Sequence, residues 1–453
     1  MKKRILETIV IGAVLAVPCW PQMSGGYTGP SVLSRGARPI GRSGGTPIRF
    51  RGYGSVSSVY ATGLTPIATD RAGEAFDDKG WGATAGFGLY GSKSGRRSAT
   101  TVSYGGGYQL FQENSYYNGV NHNVSVSHER QLNKRWTLGV GVNGTQMSNI
   151  LAAQAATRSP FDSTGYTNLF DLSTDAFDGN VLSYGGQATA SYQKSARWTF
   201  SMSGGTFITR RHSQSLASAQ GYGANGEASY AISRRTQVGI AYSYNNFFYP
   251  KGFGRSDVNS WMGTFSRVLT KRWSFNGAAG LYRVESQRLD RVQVDPAVAA
   301  LIGQSSSVEV SHTITHGLSA GAGLQGRYGR AGIGLGFQRG IAPGNGVYLT
   351  SQQDSVFANV SVLGTRRFNV GFFGNYVRLK QLFGALSGPG FFDTYGGGGG
   401  SSYRLFSFVH LTANADYRRT NIDNAFRRDF LRNRSQVSLG LAFSPGELPL
   451  NLF

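Results

Sequence analysis

Lys194-Ser195-Ala196-Arg197-Trp198-Thr199-Phe200-Ser201-Met202-Ser203-Gly204-Gly205-Thr206-Phe207-Ile208-Thr209 is a basic turn followed by an alternating strand. Trp198, Phe200, Met202, Thr206 and Ile208 share one parity. Thr199, Ser201, Ser203, Gly205 and Thr209 share the other, which is the two-residue period of a strand with unlike faces. The same turn recurs as Asn133-Lys134-Arg135-Trp136-Thr137, Thr270-Lys271-Arg272-Trp273-Ser274 and Thr365-Arg366-Arg367-Phe368-Asn369, with Ser233-Arg234-Arg235-Thr236 as a weaker copy. Repeated hairpins of one kind predict a meander that closes on itself.

The alternation extends outward from these turns. Val238, Ile240, Tyr242 and Tyr244 oppose Gln237, Gly239, Ala241, Ser243 and Asn245, and Leu138, Val140 and Val142 oppose Thr137, Gly139, Gly141 and Asn143. Val356, Ala358, Val360 and Val362 continue the pattern, as do Val437, Leu439, Leu441 and Phe443. A soluble sheet shows a similar period, but its wet face carries many Lys, Glu, Arg and Asp. Here the polar parity is mostly Gly, Ser, Thr, Asn and Gln, and charged residues are 15% of the chain, against roughly 25% in soluble domains. A polar lumen fits better. Closed, antiparallel strands of about ten residues cross a bilayer without leaving backbone groups unpaired in hydrocarbon.

Lys2, Lys3 and Arg4 precede an apolar run from Ile9 to Val17. That run is too short to span and reads as a secretory signal peptide over residues 1–22. Cys19 is the single cysteine, and Pro18 stands before it where a lipoprotein site favours a small residue. With one cysteine the chain has no internal disulfide. Residues 23–49 are rich in Gly and Pro and form a poor core, so they either plug a lumen or stay periplasmic.

The chain resembles bacterial outer-membrane β-barrel proteins of porin-like type from about Phe50 to Phe443. Ser435-Gln436-Val437-Ser438-Leu439-Gly440-Leu441-Ala442-Phe443 carries the resemblance, as a last strand ending in an aromatic residue. The resemblance implies that the barrel-assembly machinery reads that residue. Residues 444–453 follow as a tail, so either Phe443 or Phe453 is the recognised one. The expected architecture is an all-β transmembrane antiparallel meander barrel over residues 50–443. Turns near residues 92–96, 132–135, 194–197, 233–235, 270–272, 329–331, 365–367 and 403–405, with one strand added at each end, give about 18 strands. Sixteen is the alternative, because residues 51–64 alternate poorly.

The net charge of +22 would ordinarily suggest nucleic acid. Position argues against it: Lys134, Arg135, Lys271 and Arg272 sit in the short turns, as do Lys93, Arg96, Arg97, Lys194, Arg197, Arg234, Arg235, Arg330, Arg366, Arg367 and Arg404. Beside them Trp136, Trp198 and Trp273 suit an interfacial belt, with the ring anchored to lipid phosphates. The partners expected are therefore outer-membrane lipid and glycolipid, the assembly machinery and small hydrophilic solutes, in the bacterial outer membrane after secretion, with no nucleic acid.

Selectivity belongs to charged residues of the wall and loops. Glu129, Glu227 and Asp416 oppose Arg327 and Arg418 on the wall-facing parity. Two loops compete for the constriction: residues 148–180, with Asp162, Asp171, Asp175 and Asp178, and residues 418–434, with Arg418, Arg419, Arg427, Arg428, Arg432 and Arg434. Enzymatic signals are weak, and neither a metal nor another cofactor is expected. Gly139-Val140-Gly141-Val142-Asn143-Gly144 and Gly321-Ala322-Gly323-Leu324-Gln325-Gly326 satisfy G-x-G-x-x-G inside strand patterns rather than at helix starts. His312 and His316 have a metal-like spacing only on a helix, and their segment reads extended. The function expected is passive diffusion of small hydrophilic solutes. A plugged structural or surface-binding barrel is the second reading and a barrel enzyme the third.

Overall fold

The computed structural model describes residues 49–63, 79–112, 118–148, 180–212, 216–250, 254–293, 306–346, 348–362, 367–382, 390–424, 427–444 and 447–449, with isolated positions between 294 and 305. Residues 1–22, read above as a signal peptide, residues 23–48, most of residues 148–180 and Phe453 lie outside the described residues, and with them Asp162, Asp171, Asp175 and Asp178.

The strands in chain order are β1 (Arg49–Thr62), β2 (Gly80–Ser94), β3 (Ser98–Phe111), β4 (Gly119–Gln131), β5 (Trp136–Met147) and β6 (Val181–Gln193). There follow β7 (Trp198–Arg211), β8 (Ala219–Ala231), β9 (Thr236–Tyr249), β10 (Gly254–Val268), β11 (Trp273–Gln293) and β12 (Ser306–Tyr328). The last are β13 (Ala331–Ala342), β14 (Ser351–Val362), β15 (Phe368–Gln381), β16 (Phe391–Arg404), β17 (Val409–Asn424), β18 (Arg427–Phe443) and the short β19 (Glu447–Pro449). Each of the first eighteen pairs antiparallel with its sequence neighbours, and β1 pairs with β18, which closes the sheet. The fold is a closed eighteen-strand meander barrel, as the turn count predicts, and the sixteen-strand alternative fails because β1 is a full wall member between β18 and β2. Glu447 to Pro449 then pair with Arg51 to Arg49, so the wall continues past Phe443.

Local chemistry explains the turns. In the turn before β5 the Asn133 Oδ1 accepts the Arg135 and Trp136 amides at 2.8 and 2.9 Å. Ser195 and Thr270 hydroxyls do the same before β7 and β11. A short polar side chain thus satisfies the amides that a tight reversal leaves free. Both glycine-rich G-x-G-x-x-G matches lie in strand ladders, in β5 and β12.

The two faces separate as the parity predicts. Ile240, Leu318, Val140 and Leu439 are 72%, 62%, 57% and 57% exposed on the exterior parity. Such exposure of branched apolar side chains all round a barrel suits hydrocarbon rather than water. Tyr192, Tyr230, Phe368 and Tyr403 stand near the short turns, and Tyr184, Tyr222, Tyr376 and Tyr395 stand eight residues further along the same strands on the same face. Eight tilted residues climb roughly 20 Å, close to the height of the apolar band in outer-membrane barrels. The exterior therefore carries two aromatic rows that bound a membrane-thick band.

One part of the wall departs from a simple cylinder. The ladder between β12 and β13 stops at Ala320 opposite Arg339, although β12 begins at Ser306 and β13 runs to Ala342. Above that level β12 pairs, among the described residues, with β11 alone, while β13 parts from it and stays paired with β14 as far as Ala342 opposite Ser351. Ile341 then packs against Tyr282, Val284 and Val258, the interior side chains of β10 and β11. Two bidentate pairs, Arg339 with Asp354 and Arg378 with Asp393, tie the upper parts of β13 to β14 and of β15 to β16.

Candidate functional site: a strapped polar lumen

Outside one apolar cluster, the interior parity is built mostly of hydroxyls, amides and glycines. Neighbouring strands are laced across it by Ser103 to Ser125 at 2.7 Å, Ser183 to Thr209 at 3.2 Å and Asn225 Nδ2 to the Ser203 hydroxyl at 2.5 Å. Glu227 is buried on this face and accepts a 2.9 Å hydrogen bond from the Thr264 hydroxyl of β10.

In the connection between β13 and β14, residues 343–346 and 348–350 lie against the interior side of the wall. Its Asn345, Thr350 and Tyr348 are buried. The Tyr249 hydroxyl of β9 donates to the Pro343 carbonyl at 2.9 Å and lies 2.9 Å from the Thr350 hydroxyl. Thr350 reaches Ser256 of β10 at 2.6 Å. Further along, the Gly346 carbonyl accepts the Ala217 amide at 2.9 Å, and Arg211 donates to the Ala217 carbonyl at 2.7 Å. Tyr348 donates to the Phe391 carbonyl of β16 at 3.3 Å. The segment therefore reaches from β16 past β9 and β10 to the junction of β7 and β8. It is a strap across the interior of the barrel at the end away from the short basic turns.

Its shape has a local cause. Gly344 and Gly346 adopt φ of +80° and +89°, a left-handed backbone that residues with a Cβ resist. Beneath the strap Phe207, Phe247, Tyr249, Val258, Tyr282, Val284 and Ile341 form a buried apolar cluster that Leu349 joins. Burying one such side chain contributes about 1.5–3 kcal/mol. A cavity of about 30 Å³ remains between Tyr249, Ser256, Ser286, Leu349 and Thr350, about the volume of one water.

The sequence-derived candidates are scattered. Glu129 is exposed near the narrow-turn end of β4, and Arg327 is exposed near that end of β12. Residues 418–434 are not a free loop: Arg418 and Arg419 belong to β17, and Arg427, Arg428 and Arg432 to β18, whose ladder continues to Asn424 opposite Arg427. The side chains of Arg427, Arg428 and Arg432 lie outside the described residues. Adjacent residues of a strand face opposite ways. Arg418 is accordingly buried on the interior parity with Asp416, and Arg419 is exposed on the exterior parity with Tyr417. Arg418 stands directly opposite Arg434, and both are 2% exposed. In the same register Gly396 faces Arg418, and Gly398 leaves room for the Asp416 carboxylate.

At the other end, Trp136 and Trp198 are exposed beside Tyr192 and Tyr230, at ring separations of 4.7 and 5.0 Å. Trp273 is half-buried at the start of β11, and Lys134, Arg135, Lys271 and Arg272 are exposed in the turns. Arg272 lies over the Tyr328 ring at 4.8 Å. Phe443 is exposed and meets Phe408 edge-on at 5.5 Å. Sequence reasoning missed the strap and its partners Arg211, Tyr249 and Ser256. The available signal was Pro343-Gly344-Asn345-Gly346, a turn cluster longer than a hairpin needs. Among the described residues, no three His, Cys, Asp or Glu side chains are grouped to hold a metal ion.

No protein-family model and no curated protein sequence matches the chain. Solved structures similar to it include Pseudomonas aeruginosa OpdL, at 12% identity and a TM-score of 0.36, covering 88% of this chain and 98% of that one. A BenF-like porin from Pseudomonas fluorescens Pf-5 aligns at 12% identity and a TM-score of 0.41, covering 88% and 98%. The siderophore receptor PiuA from Acinetobacter baumannii aligns at 8% and 0.43, covering 89% and 82%. These scores are low, and the barrel assignment rests on the closed strand pairing of this chain itself.

Proposed function

We propose that the protein is a porin-like channel of the bacterial outer membrane, passing small hydrophilic solutes passively through the lumen beside the strap. One observation carries this reading: away from the apolar cluster beneath the strap, the interior parity of the barrel is mostly hydroxyl, amide and glycine rather than apolar. A barrel that only needed to stand would gain more from an apolar fill, whereas a wall that offers hydrogen bonds substitutes for the hydration shell of a passing solute. The strap narrows the entrance with Arg211 and Tyr249 at its anchor points. Arg418 and Arg434 stand buried in the wall on another side, with Asp416 on the same face.

Refolded protein, shown to be folded by heat-modifiable gel mobility, should give stepwise conductance in planar bilayers. Folded protein that never conducts would support instead a barrel whose lumen is blocked and whose role lies at its surface.

A further inference from the structure

We propose that the exterior of β15 to β17, at and just beyond the upper aromatic row, binds the phosphate-monoester headgroup of an outer-leaflet lipid. The site lies outside the lumen and is independent of the channel reading.

Strand register brings three cations to one place. Tyr376 stands opposite Tyr395 and Tyr395 opposite Arg419, so Arg419 shares the level of the upper aromatic row. One step further from the basic turns Arg378 stands opposite Asp393, and Lys380 follows on the same face opposite Phe391. Each two-residue step climbs about 5 Å at ordinary strand rise and tilt. All three cations belong to the exterior parity with Phe372 and Tyr395, and all three are exposed.

The Arg378 guanidinium is fixed in place. Asp393, whose side chain is 5% exposed, accepts its Nε and Nη2 at 2.7 and 2.9 Å and the Tyr376 hydroxyl at 3.1 Å. The same guanidinium lies over the Phe391 ring, 5.1 Å from its centre. A buried acid and an aromatic ring thus set the plane of a side chain that remains 45% exposed. A guanidinium has donors to spare beyond one bidentate pair. On its other side Arg378 stands opposite Asp354, which is held by Arg339 in a bidentate pair of its own. Arg339, Arg378, Lys380 and Arg419 therefore outnumber Asp354 and Asp393, and the described side chains of this patch carry excess positive charge.

Depth and charge select the occupant. Side chains on the lipid-facing parity at an aromatic belt meet headgroups rather than acyl chains. Short turns of outer-membrane barrels face the periplasm, so the far belt lies in the outer leaflet. A fixed guanidinium fork beside a flexible ammonium suits phosphate oxygens. A phosphate monoester, with about −1.5 to −2 charges at neutral pH, complements the excess better than a singly charged diester.

The test uses the full barrel in dodecylmaltoside micelles, with bound lipid counted by native mass spectrometry as lipid A, a glucosamine lipid bearing phosphate monoesters, is added. Lipid A should bind, and the same lipid stripped of phosphate should bind about tenfold more weakly or worse. Changing Arg378, Lys380 and Arg419 to Gln should weaken lipid A binding about tenfold. Arg210→Gln, which removes an exposed exterior cation one step beyond Tyr184 on another side of the barrel, should change it less than about twofold. Arg378→Lys keeps the charge and loses the fork, and should weaken binding about threefold. Heat-modifiable mobility shows that each variant is folded. Equal binding of the phosphate-free lipid overturns the inference. So does an equal loss with Arg210→Gln, which would mean attraction to surface charge in general, or displacement of lipid A by an equal concentration of inorganic phosphate, which would make the ligand a soluble anion. A conducting barrel that ignores lipid A refutes this inference alone, and a silent barrel that binds it refutes only the channel reading.

Discussion

The Tyr249 hydroxyl lies 2.9 Å from both the Pro343 carbonyl oxygen and the Thr350 hydroxyl, so one side chain at the end of β9 holds both ends of the strap. Replacing it with Phe keeps the ring in the apolar cluster and removes both hydrogen bonds. The expected cost is about 1–3 kcal/mol, because two buried partners lose a donor or acceptor. Strap release should appear in planar bilayers as a larger or noisier single-channel current. Unchanged conductance with reduced stability in urea titrations would show that the strap lies off the solute path.

The exterior and interior parities should respond oppositely to charge. Ile240→Arg places a guanidinium in hydrocarbon and should destabilise the barrel by about 2–4 kcal/mol near the midplane. Ser201→Arg, on the interior parity, should cost much less. Equal costs in refolding titrations would refute the assignment of faces.

The basic turns should act on the membrane rather than on permeation. Changing Lys134, Arg135, Lys271 and Arg272 to Gln should weaken association with anionic vesicles and flatten its salt dependence, since exposed charges act over about 10 Å at 0.1 M salt. Ion selectivity should stay the same. A large shift in reversal potential would place these residues at the channel mouth.

Arg418 and Arg434 face one another across β17 and β18 on the interior parity. Changing both to Gln should move the reversal potential toward cations under a salt gradient. Arg419→Gln, on the exterior parity, should leave it unmoved. If the two variants behave alike, the wall charge does not set selectivity.

How far the sequence could be read depends on the range of the forces involved. The strand period, the basic turns and the two faces are local. Asn133, Ser195 and Thr270 shape their turns within three residues, and alternation is a property of each strand. Eighteen strands, their meander order and the apolar exterior were therefore legible, and so was the extended state of the segment with His312 and His316. The same alternation, taken strictly, separates Arg418 from Arg419, a distinction lost when residues 418–434 are taken for a loop.

The strap was not legible. Its anchors Arg211 and Tyr249 stand far from residues 343–350 in the chain, and no periodicity records which of several polar connections bends inward. Equally, the separation of β13 from β12 above Ala320 is a competition between continuing a ladder and burying Ile341 against Tyr282, Val258 and Val284. The sequence by itself determined a closed barrel with an oily outside and a wet inside, because period and turn chemistry act between near neighbours. Only the tertiary structure decided where the connection after β13 is anchored and where β13 parts from β12, because both depend on contacts that exist once the barrel has closed.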